Sequence, residues 1–321
     1  MPRFFMTKTP VLPSFTFLHQ PGPGYQIEGD GLSRTVLSSV CKTPDFVSLI
    51  LSVNYTTATN GCLLTEVQIC QNGQWSPFFK LAFYSKKLNH SFDRQETETV
   101  VLHTDQLQAK IPAQAYRFRL TLQGEIEVSS VVVCLDAGEI LPAGYAALPS
   151  RASRINPVPF SQMCLPVAPE MQKRLCSPTS LCMALCTLGV AAHPLETAAA
   201  VYDKQADIYG NWSLNTAYAA TRGLFACVSR FGALAQLADH VHKDSLVLAT
   251  IAYKKGELSG AAIEETPGHL VLICGWQDGK ICVADPAAKT DKEVIRFYDS
   301  KEFARAWLVN KRGVGYIVRK K

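Results

Sequence analysis

The sequence predicts an all-β sandwich followed by an α+β domain, and three observations lead there. Residues from about Lys42 to Leu135 alternate apolar and polar with period two. Residues 136 to 159 are rich in Gly, Pro, Ala and Ser and have little periodicity. Beyond them, helical patterns give way to strands. A chain of 321 residues is long for a single core and comfortable for two. The expected division is a β-sandwich over 1–137, a linker over 138–157 and a catalytic-type domain over 158–321.

In the first part, strands are expected at Phe46 to Tyr55, Glu66 to Cys70, Lys80 to Tyr84, Val100 to His103, Tyr116 to Leu122 and Ile126 to Cys134, with turns at Asn60-Gly61 and Asn72-Gly73. In the run from Tyr116 to Leu122 the aromatic and aliphatic residues take every second place, as one buried face of an antiparallel sheet requires. In the second part, helices are expected at about 178–188, 194–202, 213–222, 233–242 and 300–308. Strands are expected at 245–253, 269–276, 280–285 and 314–319. For the first helix, Ser177 is read as N-cap, Pro178 as first helical residue and Gly189 as the C-terminal cap.

Composition excludes several functions. Apolar residues form 47% and charged residues 18% of the chain, the balance of a globular protein rather than a disordered one. A net charge of +5 with scattered Lys and Arg leaves no nucleic-acid footprint. The first residues, Met1 to Pro10, contain no apolar stretch of signal-peptide length, and no run elsewhere approaches a membrane span. An odd number of cysteines, eleven, sit mostly in apolar runs, which together with the absence of a signal peptide gives a cytoplasmic expectation, with an extracytoplasmic one as the alternative if a leader has been trimmed from the N-terminus. There is no Cys-x-x-Cys pair, no His-Glu-x-x-His and no phosphate-cradling glycine loop, so no metal and no cofactor is expected. Three tripeptides, at Asn54, Asn89 and Asn211, read as glycosylation acceptors, a pattern too frequent by chance to use.

The chemistry lies in three stretches. Cys176 stands at the entrance of a helix, where the positive end of the helix dipole favours thiolate; Cys182 and Cys186, inside the same helix, read as core. His269 opens a nearly all-apolar strand after Pro267-Gly268, and Asp285-Pro286 ends the next strand. Thiol, imidazole and carboxylate together suggest a cysteine nucleophile. Whether Asp285 can orient His269 depends on the hairpin between them. A two-residue turn at Asp278-Gly279 sets Asp285 opposite Leu272 and on the wrong face, whereas a three-residue loop sets it opposite Val271, on the face of His269. The orienting role is therefore tied to a three-residue turn. Asn211, Trp212 and Asn215 form a polar and aromatic group beside a helix start and are candidates for the cleft wall, against an equally good reading of Asn211 as helix cap and Trp212 as core.

Cys-Ser-Pro-Thr-Ser from Cys176, Gly-His-Leu-Val-Leu-Ile-Cys-Gly-Trp from Gly268 and Val-Ala-Asp-Pro-Ala from Val283 resemble the papain-fold cysteine peptidases related to the bacteriocin-processing peptidases. Val158 to Gln162 and Gly210 to Asn215 share in the likeness, which covers about residues 156 to 318. The segment Trp75 to Phe79 resembles, more loosely, a β-sandwich that precedes the catalytic domain in some members. The resemblance implies a papain-like α+β fold and hydrolysis of a peptide or related amide through a thioester. It implies Cys176 as nucleophile, His269 as general base and then acid, Asp285 as the orienting group and Gln162 as oxyanion donor. Gln162 stands fourteen residues before Cys176, longer than the usual spacing in such folds, which makes Gln172 the second candidate. The implied partner is a peptide or protein substrate, with a glycan or surface ligand as a candidate for the sandwich. Two rival functions remain: a retired enzyme acting as a glycan- or protein-binding module, and an acyltransferase or isopeptidase.

Overall fold

The computed structural model describes residues 14–321 apart from 21–23, 58–60 and 139–140; Asn60 of the expected Asn60-Gly61 turn thus lies outside the described residues. Twelve N-terminal strands form one antiparallel network. Its main order runs from Ser14–His19 through Ile126–Asp136, Cys41–Thr57, Gln106–Gln123, Cys62–Gln71 and Phe79–Ser85 to His90–Ser91. Two long strands make this possible, because Gln106–Gln123 pairs with Cys41–Thr57 over its first part and with Cys62–Gln71 and Ser33–Leu37 over its second. Asn72 and Gly73, both at positive φ, make the expected two-residue turn between Gln71 and Gln74. The alternation from Tyr116 holds: Tyr116, Phe118, Leu120 and Leu122 are buried in the β core.

The C-terminal half contains helices α1 (Pro169–Gln172), α2 (Cys176–Thr187), α3 (Pro194–Val201), α4 (Trp212–Thr221) and α5 (Ser300–Ala304). They accompany an antiparallel sheet in the order Phe225–Arg230, Val314–Arg319, Ser245–Tyr253, Thr266–Gln277, Lys280–Ala284, Ile295–Asp299. Both faces of this sheet are covered: Leu270, Leu272 and Cys274 pack in one core with α2, and Val271 and Ile273 pack in another. That is why the His269 strand reads as an unbroken apolar run.

Several local expectations need correction. The strands Phe225–Arg230 and Ile295–Asp299 were not anticipated. Residues expected as a helix at 233–242 form a 3-10 segment, Leu234–Asp239, and 300–308 is α5 followed by a π turn, Arg305–Val309. Helix α2 begins at Cys176 with Leu175 as its cap residue. Ser177 does not cap it, because its hydroxyl is committed to Asn215 (3.0 Å). Gly189 does end it, at φ +89, with Val190 N–H reaching Leu185 O (2.9 Å) and Gly189 N–H reaching Cys186 O (3.0 Å).

The two halves share cores. Alternate residues of Cys41–Thr57 and Ile126–Asp136 face opposite ways: Leu49, Leu51, Val131 and Val133 enter the β core, while Ile50, Val132 and Cys134 enter the cores of the C-terminal half. Leu214 and Ala217 of α4 belong in turn to the β core. Polar groups complete this contact. Asn54 both accepts from Ala226 N–H and donates to Ala226 O, each at 2.9 Å, and the Asp136 carboxylate takes both Arg312 (2.5 and 2.7 Å) and Arg230 (3.8 Å). The connecting segment is built in as well, with Tyr145 and Leu148 against the third core and Ser153–Arg154 paired to Gly275 and Trp276. Asn54 and Asn211 are buried, so the glycosylation pattern at these two positions is not presented on the surface.

Candidate active site

Hairpin geometry decides where Asp285 goes. The turn at Asp278-Gly279 has two residues, both at positive φ, joining Gln277 to Lys280. The expected three-residue loop is therefore absent, yet Asp285 still reaches the face of His269. The pairing runs Gln277↔Lys280, Trp276↔Ile281, Gly275↔Cys282 and then Ile273↔Val283, Leu272↔Ala284. Cys274 is the extra residue of a β-bulge, which shifts the register by one and aligns Asp285 with Val271. Gly275 permits it: φ is +142, and a Cβ there would meet Ser153 O at 2.0 Å.

The result is a buried ion-pair geometry. His269 Nε2 lies 2.8 Å from Asp285 Oδ1; the same oxygen accepts the Ala287 N–H at 2.9 Å, and Oδ2 accepts the Tyr298 hydroxyl at 2.7 Å. With Nε2 occupied, Nδ1 is the nitrogen left to serve the Cys176 thiol, which lines the same cavity as His269. Tyr298 was missed in the sequence together with its strand, and alternation gave no signal for it: Ile295 and Phe297 hold the apolar places, yet Phe297 is exposed and Tyr298 is buried.

Electrostatics follow from that geometry. Burial alone would raise the Cys176 thiol, but the His269 hydrogen bond and charge, with the backbone of Leu270 and Ser177, bring it below its ordinary value. Burial alone would lower His269, but the Asp285 charge and hydrogen bond, joined by Cys176, raise it. Asp285 would also be raised by burial, yet His269, Tyr298 and Ala287 hold it below the carboxylate range. The scales support these directions. Two charges 4 Å apart attract by about 4 kcal/mol at an effective dielectric of 20, and each hydrogen bond to a charged group adds about 1.5–3 kcal/mol. Together these exceed the several kcal/mol that desolvation costs per ion.

Cys176 and His269 line a cavity of about 440 Å³ together with Gln162, Gly268 and Lys173. Helix α2 is fixed to the His269 strand by Ser180 Oγ donating to Leu270 O (2.9 Å). Gln162 is tied to the residues after Asp285 through its N–H to Pro286 O (2.8 Å), while its Nε2 donates to Gln172 O (2.9 Å). Its Oε1 is buried without a partner. The Gln172 carboxamide instead donates to Met163 O and Leu165 O, closing the loop that carries α1. Gln172 therefore holds the loop, and Gln162 faces the cavity. Asn211 and Trp212 do not line it. Asn211 is fully buried as the N-cap of α4, accepting from Leu214 N–H, and Trp212 opens that helix against the β half. Among the described residues, no group of His, Cys, Asp or Glu could hold a metal ion, and no helix is long and apolar enough to cross a membrane. All eleven cysteines are free.

A helix that starts on cysteine, packed on an antiparallel sheet that supplies histidine and aspartate, defines the papain-like cysteine peptidase fold. The C-terminal half belongs to the Peptidase_C39 like family, whose model matches residues 156–314, and residues 33–135 match the Peptidase C39 N-terminal domain. No curated protein matches the chain by sequence. Among solved structures, a putative C39-like peptidase from Bacillus anthracis is similar at 15% identity and TM-score 0.39, over 54% of this chain and 98% of that one. A double glycine motif protease from an AMS/PCAT transporter, solved with a leader peptide, is similar at 16% identity and TM-score 0.37, over 57% of this chain and all of that one. The peptidase domain of Streptococcus ComA is similar at 12% identity and TM-score 0.34, over 46% of this chain and 93% of that one. Family membership rests on the sequence models, not on likenesses this distant.

Proposed function

We propose that the protein is an active cysteine peptidase that hydrolyses a peptide bond through a thioester on Cys176. One observation carries this reading: the 2.8 Å contact of His269 Nε2 with Asp285 Oδ1, beside a Cys176 thiol on the wall of the same cavity. The Cys176 thiolate attacks the carbonyl carbon. Negative charge developing on the oxygen is received by the Cys176 N–H, which has no acceptor within its own helix, and by the second hydrogen of Gln162 Nε2. Collapse expels the amine, which takes its proton from His269. Water then gives a proton to His269 and attacks the thioester, releasing the acid and restoring the thiolate. Asp285 keeps the imidazole in the one orientation that serves both steps, and Tyr298 and Ala287 keep Asp285 ionised.

The test is a peptide library incubated with the wild-type protein and with Cys176→Ala. The wild type is expected to cleave a subset of peptides and the variant none of them above background. Cleavage that persists in Cys176→Ala, or an inert wild type, overturns the reading.

A further inference from the structure

The N–H groups at the start of α4 are satisfied from two directions. Asn211, the cap residue, accepts from Leu214 N–H at 3.0 Å through its side chain. The N–H group of Trp212 is taken by a carboxylate of the other half of the molecule, that of Asp105. Asp105 sits with Thr104 in the two-residue turn between Val100–His103 and Gln106–Gln123 and is 8% exposed; burial pushes its carboxyl up to about 7, and it stands at the positive end of the helix, where its ionised form is favoured. The same docking is held by Ser213 Oγ donating to Leu51 O (2.7 Å) and by Asp203, which receives both Asn211 Nδ2 (2.8 Å) and Ser91 N–H (2.9 Å).

One turn further along α4 stands Asn215, fully buried. Its Nδ2 donates to Tyr209 O (2.9 Å) and Asn211 O (2.7 Å), and its Oδ1 accepts from the hydroxyl of Ser177 (3.0 Å). Ser177 is the neighbour of Cys176 in the first turn of α2, and its hydroxyl also lies 3.3 Å from that of Tyr316. A continuous run of short polar contacts therefore leads from the β half to the residue beside the thiol.

We propose that Asp105 is a positioning residue for Cys176. It anchors the start of α4, and α4, through Asn215 and Ser177, fixes the first turn of α2, so that the β half is a working part of the active site. The inference rests on the reading of Cys176 as a reactive thiol; the β half acts on it by geometry and not by contact with substrate.

The experiment measures the rate of alkylation of Cys176 by iodoacetamide against pH, by peptide mass spectrometry, in the full chain. Wild type is compared with Asp105→Ala, Asp105→Asn, Asp105→Glu and Asn215→Ala. Asp105→Ala and Asn215→Ala are expected to slow alkylation at neutral pH by roughly tenfold and to move its midpoint upward, because misplacing the thiol from His269 weakens what ionises it. Asp105→Asn, whose amide oxygen still accepts the Trp212 N–H, is expected to stay within about twofold of wild type. The sign separates position from charge: deleting a buried negative group would by itself favour the thiolate and move the midpoint down. The double variant Asp105→Ala/Asn215→Ala is expected to lose no more than the worse single one, since both cut the same path. If Asp105→Ala does not fold, Asp105→Glu answers, keeping charge and acceptor but displacing the carboxylate by a methylene; it is expected to be slowed as well. Unchanged or downward-moved midpoints in the alanine or glutamate variants, beside a wild type that alkylates Cys176 first, overturn the positioning role alone. A wild type with no preference for Cys176 overturns the peptidase reading itself.

Discussion

Cys176, His269 and Asp285 were legible in the sequence because each carries a local sign: a helix entrance, a strand opening after Pro-Gly, a strand end before Pro. Their partners carry none. Tyr298 and Ala287, which keep Asp285 charged, become visible only when strands pair. The choice between the two glutamines is also decided at this scale, since the side chain of Gln172 is spent on Met163 O and Leu165 O while Gln162 lines the cavity. Gln162→Ala is accordingly expected to lower kcat by roughly 10²-fold with little change in KM, the usual worth of one oxyanion donor. Gln172→Ala is expected to act mainly on the melting temperature, by freeing the loop before α2. A steady-state comparison of the two variants checks this, and an equal loss of kcat in both contradicts it.

At the scale of elements, the instructive case is the hairpin from Thr266 to Ala284. Sequence reasoning treated the turn as the device that sets the register, and the turn it needed is not there. The register is set by a bulge three residues before the turn, and the only mark it left in the sequence was a glycine inside an apolar run, Cys274-Gly275. Gly275→Ala must therefore displace either the Ser153–Arg154 strand or the bulge, because a Cβ cannot stand 2.0 Å from Ser153 O. It is expected to cost about 1–3 kcal/mol in unfolding free energy and to remove most of the proposed peptidase activity by turning Asp285 away. Denaturant unfolding with an activity assay reads both, and a fully active, equally stable variant contradicts the account of the bulge. Helix ends were less legible for a related reason: Ser177 has the chemistry of a cap, but tertiary demand from Asn215 claims its hydroxyl.

Across the whole molecule, the order of the two parts and their fold classes were readable from the change in periodicity. Their mutual burial was not. Runs such as Val131 to Leu135 lack strict alternation because alternate residues serve two different cores, and a single sequence does not say which second surface covers the outward face. The polar links between the halves are equally hidden, since Asn54 with Ala226 and Asp136 with Arg312 join residues far apart in the chain. Under the reading proposed for the site, this molecule must meet one requirement, a thiolate beside an imidazolium. The pH dependence of Cys176 alkylation in the wild type and in His269→Ala tests that requirement most directly. Because the thiol is lowered and the imidazole raised, the pair is charged over the window between them, and the wild-type rate is predicted to reach half its plateau clearly below the ordinary thiol value of about 8.5. His269→Ala should move it up past that value, because burial then acts on the thiol without the imidazole to offset it. A wild-type midpoint at the ordinary value, indifferent to the loss of His269, would contradict the account.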